Sequence, residues 1–284
     1  MGGIVVWSEG RLRDPDEPLL SALDHGVTVG DGVFETCGVV RGHAFALTRH
    51  LARLTRSAVG IGLVAPDLEA VRQGAAAVLA AADGIGRLRV TVTAGVGPLG
   101  SGRLPGRQTV LVIGGPAAPP APVRAVRVPW VHNERSAVAG LKTTSYAENA
   151  VLLAWAKAHG GDEALVANTV GELCEGTGTN VFVERAGELV TPPLSSGCLG
   201  GITRELVLEW SARAGLPVRE AAAGELPYTV LDDVFAGLAT LALTGSVRTV
   251  VPVIALDGIP VSVGPITEQV QRLYREREAG DLDP

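Results

Sequence analysis

Gly140-Leu-Lys-Thr-Thr-Ser-Tyr-Ala-Glu-Asn149 decides the reading of this chain, because three further motifs lie C-terminal to it in a fixed order. Leu173-Cys-Glu-Gly-Thr-Gly-Thr-Asn-Val-Phe182 comes next, then Val190-Thr-Pro-Pro193, then Gly200-Gly-Ile-Thr-Arg-Glu205. A lysine, a carboxylate, a Thr/Asn-rich turn and a glycine-led helix start arrive in that order. Together they can hold an aldehyde-bearing ring that carries a phosphate at one end and a nitrogen at the other. A lysine amine can bond such an aldehyde. A carboxylate beside a ring nitrogen can keep it protonated. The helix start offers unpaired amides to the phosphate.

On either side of this stretch, the chain reads as two α/β regions. Strand-like runs at Ile4–Trp7, Val33–Val40 and Ala44–Leu47 open it. Helical spacing follows from Thr48 to Ile61, with Leu51, Leu54 and Ala58 on one face. A second helix is expected over Asp67–Ala82 with Asp67 as its N-cap. Leu88–Thr93 and Thr109–Ile113 read as strands. Gly114–Val123 holds four prolines, which exclude a helix interior or a central strand. The expected partition is therefore a small domain over 1–115, a linker over 116–123 and a larger domain over 124–284. In the larger domain Arg124–Val128 is a strand that Pro129 is expected to end. Ser145–His159 is a helix stopped by Gly160-Gly161. Glu163–Asn168, Asn180–Glu184 and Glu188–Val190 are strands, the last two joined at Ala186-Gly187. Helices are expected over Thr203–Ala214 and Pro265–Glu278, with a hairpin at Asp257-Gly258.

Composition narrows the function. The chain has 284 residues, 46% of them hydrophobic but only 4% aromatic, so Ala, Val and Leu must build its core. Net charge is −6 and no basic stripe is present, which argues against nucleic-acid binding. No apolar run is long enough to span a bilayer. Met1–Trp7 lacks the charged start of a signal peptide. Three widely spaced cysteines, Cys37, Cys174 and Cys198, fit a reducing cytoplasm rather than a disulfide framework. The five histidines show no metal-ligand spacing, so no metal site is expected. Gly95-Val-Gly-Pro-Leu-Gly100 fits a dinucleotide-binding pattern, but Pro98 and the adjoining Ser-Gly-Arg-Leu-Pro-Gly read as a loop where that pattern needs a helix start.

The order and wording of these motifs, from Gly30-Asp-Gly-Val-Phe-Glu-Thr36 to Thr249-Val-Val-Pro252, resemble the class IV (fold type IV) pyridoxal-phosphate enzymes. That group holds branched-chain and D-amino-acid aminotransferases and aminodeoxychorismate lyase. The resemblance implies a smaller N-terminal α+β domain, a larger C-terminal domain with a barrel-like sheet, a homodimer, and pyridoxal 5′-phosphate as cofactor. It makes Lys142 the residue that bonds the cofactor aldehyde and moves the proton. It makes Glu175 the partner of the ring nitrogen. Gly201, Ile202, Thr203, Ser246 and Arg53 become phosphate contacts. Phe34, Arg89 and Tyr146 are expected around the substrate, an amino or keto acid. Taken singly, Lys142 and Arg53 also read as surface cations and Glu175 as an acidic turn residue. Ala94 stands where lyases and D-amino-acid enzymes commonly carry an arginine, and Arg89 where branched-chain enzymes carry one. The expected activity is amino transfer between an amino acid of branched-chain or D type and a 2-keto acid. The alternatives are pyruvate elimination that releases 4-aminobenzoate, and a catalytically silent relative.

Overall fold

The computed structural model describes residues 3–284, so Met1 and Gly2 of the expected non-signal N-terminus lie outside the described residues. The chain divides into two compact units. Unit 1 comprises Met1–Ala118, Leu141–Tyr146 and Asp281–Pro284, and unit 2 comprises Pro119–Gly140 and Ala147–Gly280. The first break falls inside the proline run. The Lys142 segment belongs by its contacts to unit 1.

Unit 1 contains β1 (Val5–Ser8), β2 (Arg11–Arg13), α1 (His25–Thr28), β3 (Gly32–Val40), β4 (His43–Ala44), α2 (Leu47–Gly60), α3 (Leu68–Ala81), β5 (Arg87–Thr93) and β6 (Thr109–Gly115). Its sheet has the order β2-β1-β6-β5-β3-β4, with every neighbouring pair antiparallel. Alternation along β5 turns Leu88, Val90 and Val92 inward, where they meet Leu51, Leu54 and Ala58 of α2 and Val71, Ala75 and Val78 of α3. Gly74 lets α3 come close to Trp7, since a Cβ there would lie 2.6 Å from the indole ring. Asp67 caps α3 by accepting from the Ala70 amide at 3.0 Å. The strand expected over Ala44–Leu47 is cut short. Ala46 turns left-handed (φ 53°) and α2 begins at Leu47, because Ala46 donates its amide to Leu282 rather than to a strand partner.

Leu141–Tyr146 lies along β3. Thr143 bridges Val33 in antiparallel register. The Phe34 amide donates to the Lys142 carbonyl at 3.1 Å, and the Thr144 amide to the Gly32 carbonyl at 2.8 Å. These bonds explain why the helix expected from Ser145 starts later, at Ala147.

Unit 2 contains β7 (Val123–His132), α4 (Ala147–Ala158), β8 (Glu163–Asn168), β9 (Leu173–Gly176), β10 (Asn180–Arg185), β11 (Glu188–Thr191), α5 (Ile202–Ala214), β12 (Val218–Glu220), α6 (Val230–Phe235), β13 (Ala239–Gly245), β14 (Thr249–Leu256), β15 (Ile259–Pro260) and α7 (Pro265–Gly280). Its sheet runs β12-β11-β10-β13-β14-β7-β8-β9, with β15 added to β14. The Gly176 amide donates to the Thr179 carbonyl at 2.8 Å, so β9 turns directly into β10 and the path curls back on itself like a barrel. Val181, Val183, Leu241, Leu243, Val251 and Val253 fill the core. Pro129 does not end β7. The register shifts between Arg127 and Val131, so the missing proline N–H falls in an irregular stretch where no ladder bond is needed. Ala186-Gly187 and Asp257-Gly258 both have positive φ at each residue, the geometry of tight hairpin turns.

Candidate active site

Unit 1 gathers five of the expected site residues. The Lys142 backbone is pinned twice. Its carbonyl accepts from Phe34, and its amide donates to Ser57 Oγ at 3.1 Å. Ser57 lies one turn beyond Arg53 on α2, so the same helix face carries both contacts. Lys142 Nζ is 4.4 Å from the centre of the Phe34 ring and 5.8 Å from that of Tyr146. Phe34 and Tyr146 meet edge to face with centroids 5.2 Å apart. The Arg89 guanidinium lies 3.8 Å from the Phe34 centroid, and its Nε donates to Thr91 Oγ1 at 3.2 Å. Burial pushes the Arg89 pKa down. Arg89 has no carboxylate partner among the described residues. Arg53 is 4% exposed and donates from Nε and Nη2 to the two oxygens of Glu35, each at 2.7 Å.

Unit 2 gathers the others. Glu175 is not on a turn but on β9, half-buried, and its carboxylate accepts from the Leu199 amide at 2.9 Å. Two residues later Gly201 is the N-cap of α5, with extended backbone and no side-chain cap bond. The Ile202 and Thr203 amides therefore open the helix ahead of its hydrogen-bond ladder. A Cβ on Gly201 would lie 2.0 Å from Asn180 Oδ1, so glycine is required for that approach. Asn180 in turn donates from Nδ2 to the Leu199 carbonyl at 2.7 Å and pairs with Thr244 across β10 and β13. Ser246 follows Gly245 in the turn after β13, and a Cβ on Gly245 would lie 3.6 Å from the Thr179 side chain. The Thr203 side chain is hydrogen-bonded to the Tyr274 phenol, so its amide rather than its hydroxyl is the donor left at the helix start. The Oγ1 atoms of Thr179 and Thr244 are buried without a hydrogen-bond partner.

The features of each unit suit one part of a phosphorylated cofactor. Buried hydroxyls lacking acceptors, an uncapped helix start and a glycine pressed against Asn180 make an anion cradle. In unit 2 the Glu175 carboxylate is of the kind a protonated ring nitrogen would need, and in unit 1 the Lys142 amine is of the kind an aldehyde would need. His132, Cys174 and Glu175 also place ligand-type atoms within 4.8 Å of one another. The Cys174 thiol there is pushed far up by burial and by the neighbouring Glu175 charge, and it donates to the Ser196 carbonyl at 3.3 Å. Sequence reasoning passed over Glu35, His50, Ser57, Asn180 and Thr244. Glu35 and Asn180 sat inside the quoted motifs, but their partners are far away in sequence.

The amino-transferase class IV family model matches residues 32–256. A putative branched-chain-amino-acid aminotransferase of Methanocaldococcus jannaschii is 30% identical, with 95% of each chain covered. A D-alanine aminotransferase of Bacillus licheniformis is 29% identical, with 94% of each covered. Among solved structures, the PLP-bound form of a hypothetical aminotransferase from Mycobacterium tuberculosis superposes with a TM-score of 0.82 at 27% identity, covering 95% of this chain and 97% of that one. The family match spans both units, and the residues each unit assembles suit the cofactor: the chain belongs to the class IV aminotransferases, enzymes that work with pyridoxal 5′-phosphate.

Proposed function

We propose that the amino donor is an α-amino acid whose carboxylate is held by Arg89 and whose side chain lies against Phe34 and Tyr146. The observation that carries this is the Arg89 guanidinium, stacked on Phe34 with no carboxylate partner among the described residues. A half-buried guanidinium favours a bidentate carboxylate ligand. The apolar ring beside it suits an aliphatic side chain, in keeping with the branched-chain relative.

Bound, the cofactor supplies an aldehyde that takes up the amino group and a ring that accepts the electron pair left at Cα. With the cofactor bound, Lys142 would hold it through its amine, and that amine, once freed by the substrate, would be the group that takes the proton from Cα and gives it back across the substrate nitrogen. The Phe34 ring beneath Nζ orients the amine and keeps water from that side. Glu175, its carboxylate fixed by the Leu199 amide, would keep the ring nitrogen protonated. The Ile202 and Thr203 amides and Ser246 of unit 2, and Arg53 of unit 1, are the groups that would hold the phosphate.

Two coarser properties accompany this reading. We infer a homodimer, supported by exposed apolar residues in unit 1 at Leu20, Leu23, Val27, Val29, Val96 and Leu99. A reducing, cytoplasmic setting is supported by three free, buried cysteines. No helix among the described residues is long and apolar enough to cross a membrane.

The test is a half-reaction screen of L- and D-amino acids, following loss of aldehyde absorbance. Aliphatic donors are expected to react. Lys142→Ala should slow the half-reaction by about 1,000-fold or more and abolish borohydride trapping. Release of pyruvate and 4-aminobenzoate from aminodeoxychorismate, with no half-reaction on any amino acid, would overturn the assignment in favour of the lyase.

A further inference from the structure

Glu35 is the most buried charged group of unit 1, at 0% exposure, and nothing assigned so far uses it. It sits on β3, one residue beyond Phe34. Its Oε1 accepts from Arg53 Nε at 2.7 Å, and its Oε2 accepts from Arg53 Nη2 and His50 Nδ1, both at 2.7 Å. His50 and Arg53 are three residues apart on α2, on one face. Burial opposes a charge on Glu35. The Arg53 charge and the hydrogen bonds from Arg53 and His50 outweigh it, holding the carboxyl at about 2. Burial pushes the His50 pKa down against the pull of Glu35, so His50 is neutral at pH 7 and its Nδ1–H is the donor. The cluster therefore carries one negative and one positive charge.

We infer that Glu35 is a positioning residue for the cofactor phosphate: it grips the side edge of the Arg53 guanidinium and so fixes the direction of the outer edge. This rests on the reading of Arg53 as a phosphate contact. A guanidinium offers five N–H donors in a planar fork. Glu35 takes the Nε–Nη2 edge as a bidentate pair, which locks the plane of the group. An arginine side chain loses much rotamer freedom when it is held in one geometry. Glu35 and His50 remove that freedom before any ligand arrives, and prior ordering of this kind raises affinity. Packing alone does not call for the arrangement. An apolar pair at positions 35 and 53 would fill the space without burying two charges. Removing the Glu35 charge would leave Arg53 more positive, which alone would strengthen its attraction for phosphate. The sign of the effect therefore separates orientation from simple charge.

The experiment compares dissociation constants of the full-length apoprotein for pyridoxal phosphate and for pyridoxal, which lacks the phosphate. The ratio of the pyridoxal constant to the pyridoxal phosphate constant isolates the phosphate contribution and needs no turnover. Glu35→Gln is expected to lower that ratio about tenfold, or about 1.4 kcal/mol, with pyridoxal affinity nearly unchanged. Arg53→Gln should lower it further. An unchanged or raised ratio in Glu35→Gln, alongside a lowered ratio in Arg53→Gln, overturns the inference and spares the phosphate reading. An equal loss of affinity for both ligands in Glu35→Gln makes Glu35 merely structural and also overturns it. An unchanged ratio in Arg53→Gln defeats the phosphate reading itself. If Glu35→Gln does not fold, His50→Asn decides. It removes one of the bonds holding the carboxylate and should lower the ratio about threefold with an unaltered circular dichroism spectrum. No fall in the ratio there counts against the inference.

Discussion

Unit 1 and unit 2 present their candidate residues by different physical means. Unit 1 uses long cationic side chains, Lys142, Arg53 and Arg89, steadied by an aromatic ring and a buried carboxylate. Unit 2 uses backbone amides and short hydroxyls, placed by a glycine N-cap and the Asn180 amide. Side chains reach further but must be ordered at an entropic cost. Backbone donors are already ordered by the helix and need only the absence of a Cβ. Ionic networks should therefore make unit 1 sensitive to pH, and close packing should make unit 2 sensitive to added volume.

The largest expected effect lies in unit 1. Glu35 has its pKa depressed from 4.5 to about 2, so its contribution to stability is fully present above pH 4.5 and is lost as pH falls toward 2. The difference corresponds to on the order of 3 kcal/mol. Glu163, on β8 of unit 2, is the counterpart. Burial raises its pKa against the pull of Arg248 and of hydrogen bonds from Gly178 and Thr177. Its favourable contribution is thus present at low pH and is lost as pH rises above 4.5. Hydrogen exchange followed from pH 7 to pH 3 should show amides of β3 and α2 losing protection ahead of those of β8 and β10. Simultaneous loss in both units would break the contrast. Glu163→Gln should leave the protection of β8 at pH 7 unchanged or raised.

The next effect belongs to unit 2. Gly201→Ala places a Cβ against Asn180 Oδ1. That side chain cannot yield without releasing the Leu199 carbonyl, and the Leu199 amide is the group that binds Glu175. Overpacking of this kind costs about 1–3 kcal/mol, and here it also displaces the helix-start amides proposed to hold the phosphate. Gly245→Ala is the internal control, because its new Cβ would meet its nearest neighbours only at 3.6 Å. Denaturant midpoints and pyridoxal phosphate affinity should both fall in the first variant and hold in the second. Equal behaviour of the two would show that the close approach at Gly201 has no energetic weight.

The same contrast explains what could be read before folding. The unit 2 residues sit in contiguous motifs, since a strand, a turn and a helix start need only local sequence. Glu175, Gly201 and Thr203 were therefore visible as a pattern, although not that β9 would carry Glu175. In unit 1 the residues were visible and their relations were not. Glu35 finds Arg53 18 residues away, and Ser57 meets the Lys142 amide across 85. No periodicity reports such distances. Pro129 misled for a related reason. A proline excludes a ladder bond, but whether the ladder needs one at that point depends on the register with β8.

The smallest effect concerns how α2 is held. Its own N-cap, Ala46, has no side chain able to accept, so the Thr48 amide would be unpaired at the helix start. Asp283 takes that role from 235 residues away. Its Oδ1 accepts from the Thr48 amide at 2.8 Å and its Oδ2 from the Thr48 hydroxyl at 2.6 Å. Leu282 accepts from the Ala46 amide at 2.8 Å beside it. The carboxylate also lies at the positive end of the helix dipole. Because Asp283 is exposed, Asp283→Ala should cost about 1 kcal/mol or less, and Asp283→Asn, which keeps an acceptor, less again. The readout is the denaturant midpoint together with exchange of the first-turn amides of α2. Since α2 carries His50 and Arg53, the alanine variant should also loosen the pyridoxal phosphate complex slightly while leaving pyridoxal binding alone. An alanine variant identical to the parent in midpoint and in first-turn exchange would mean that α2 is held by its apolar face alone.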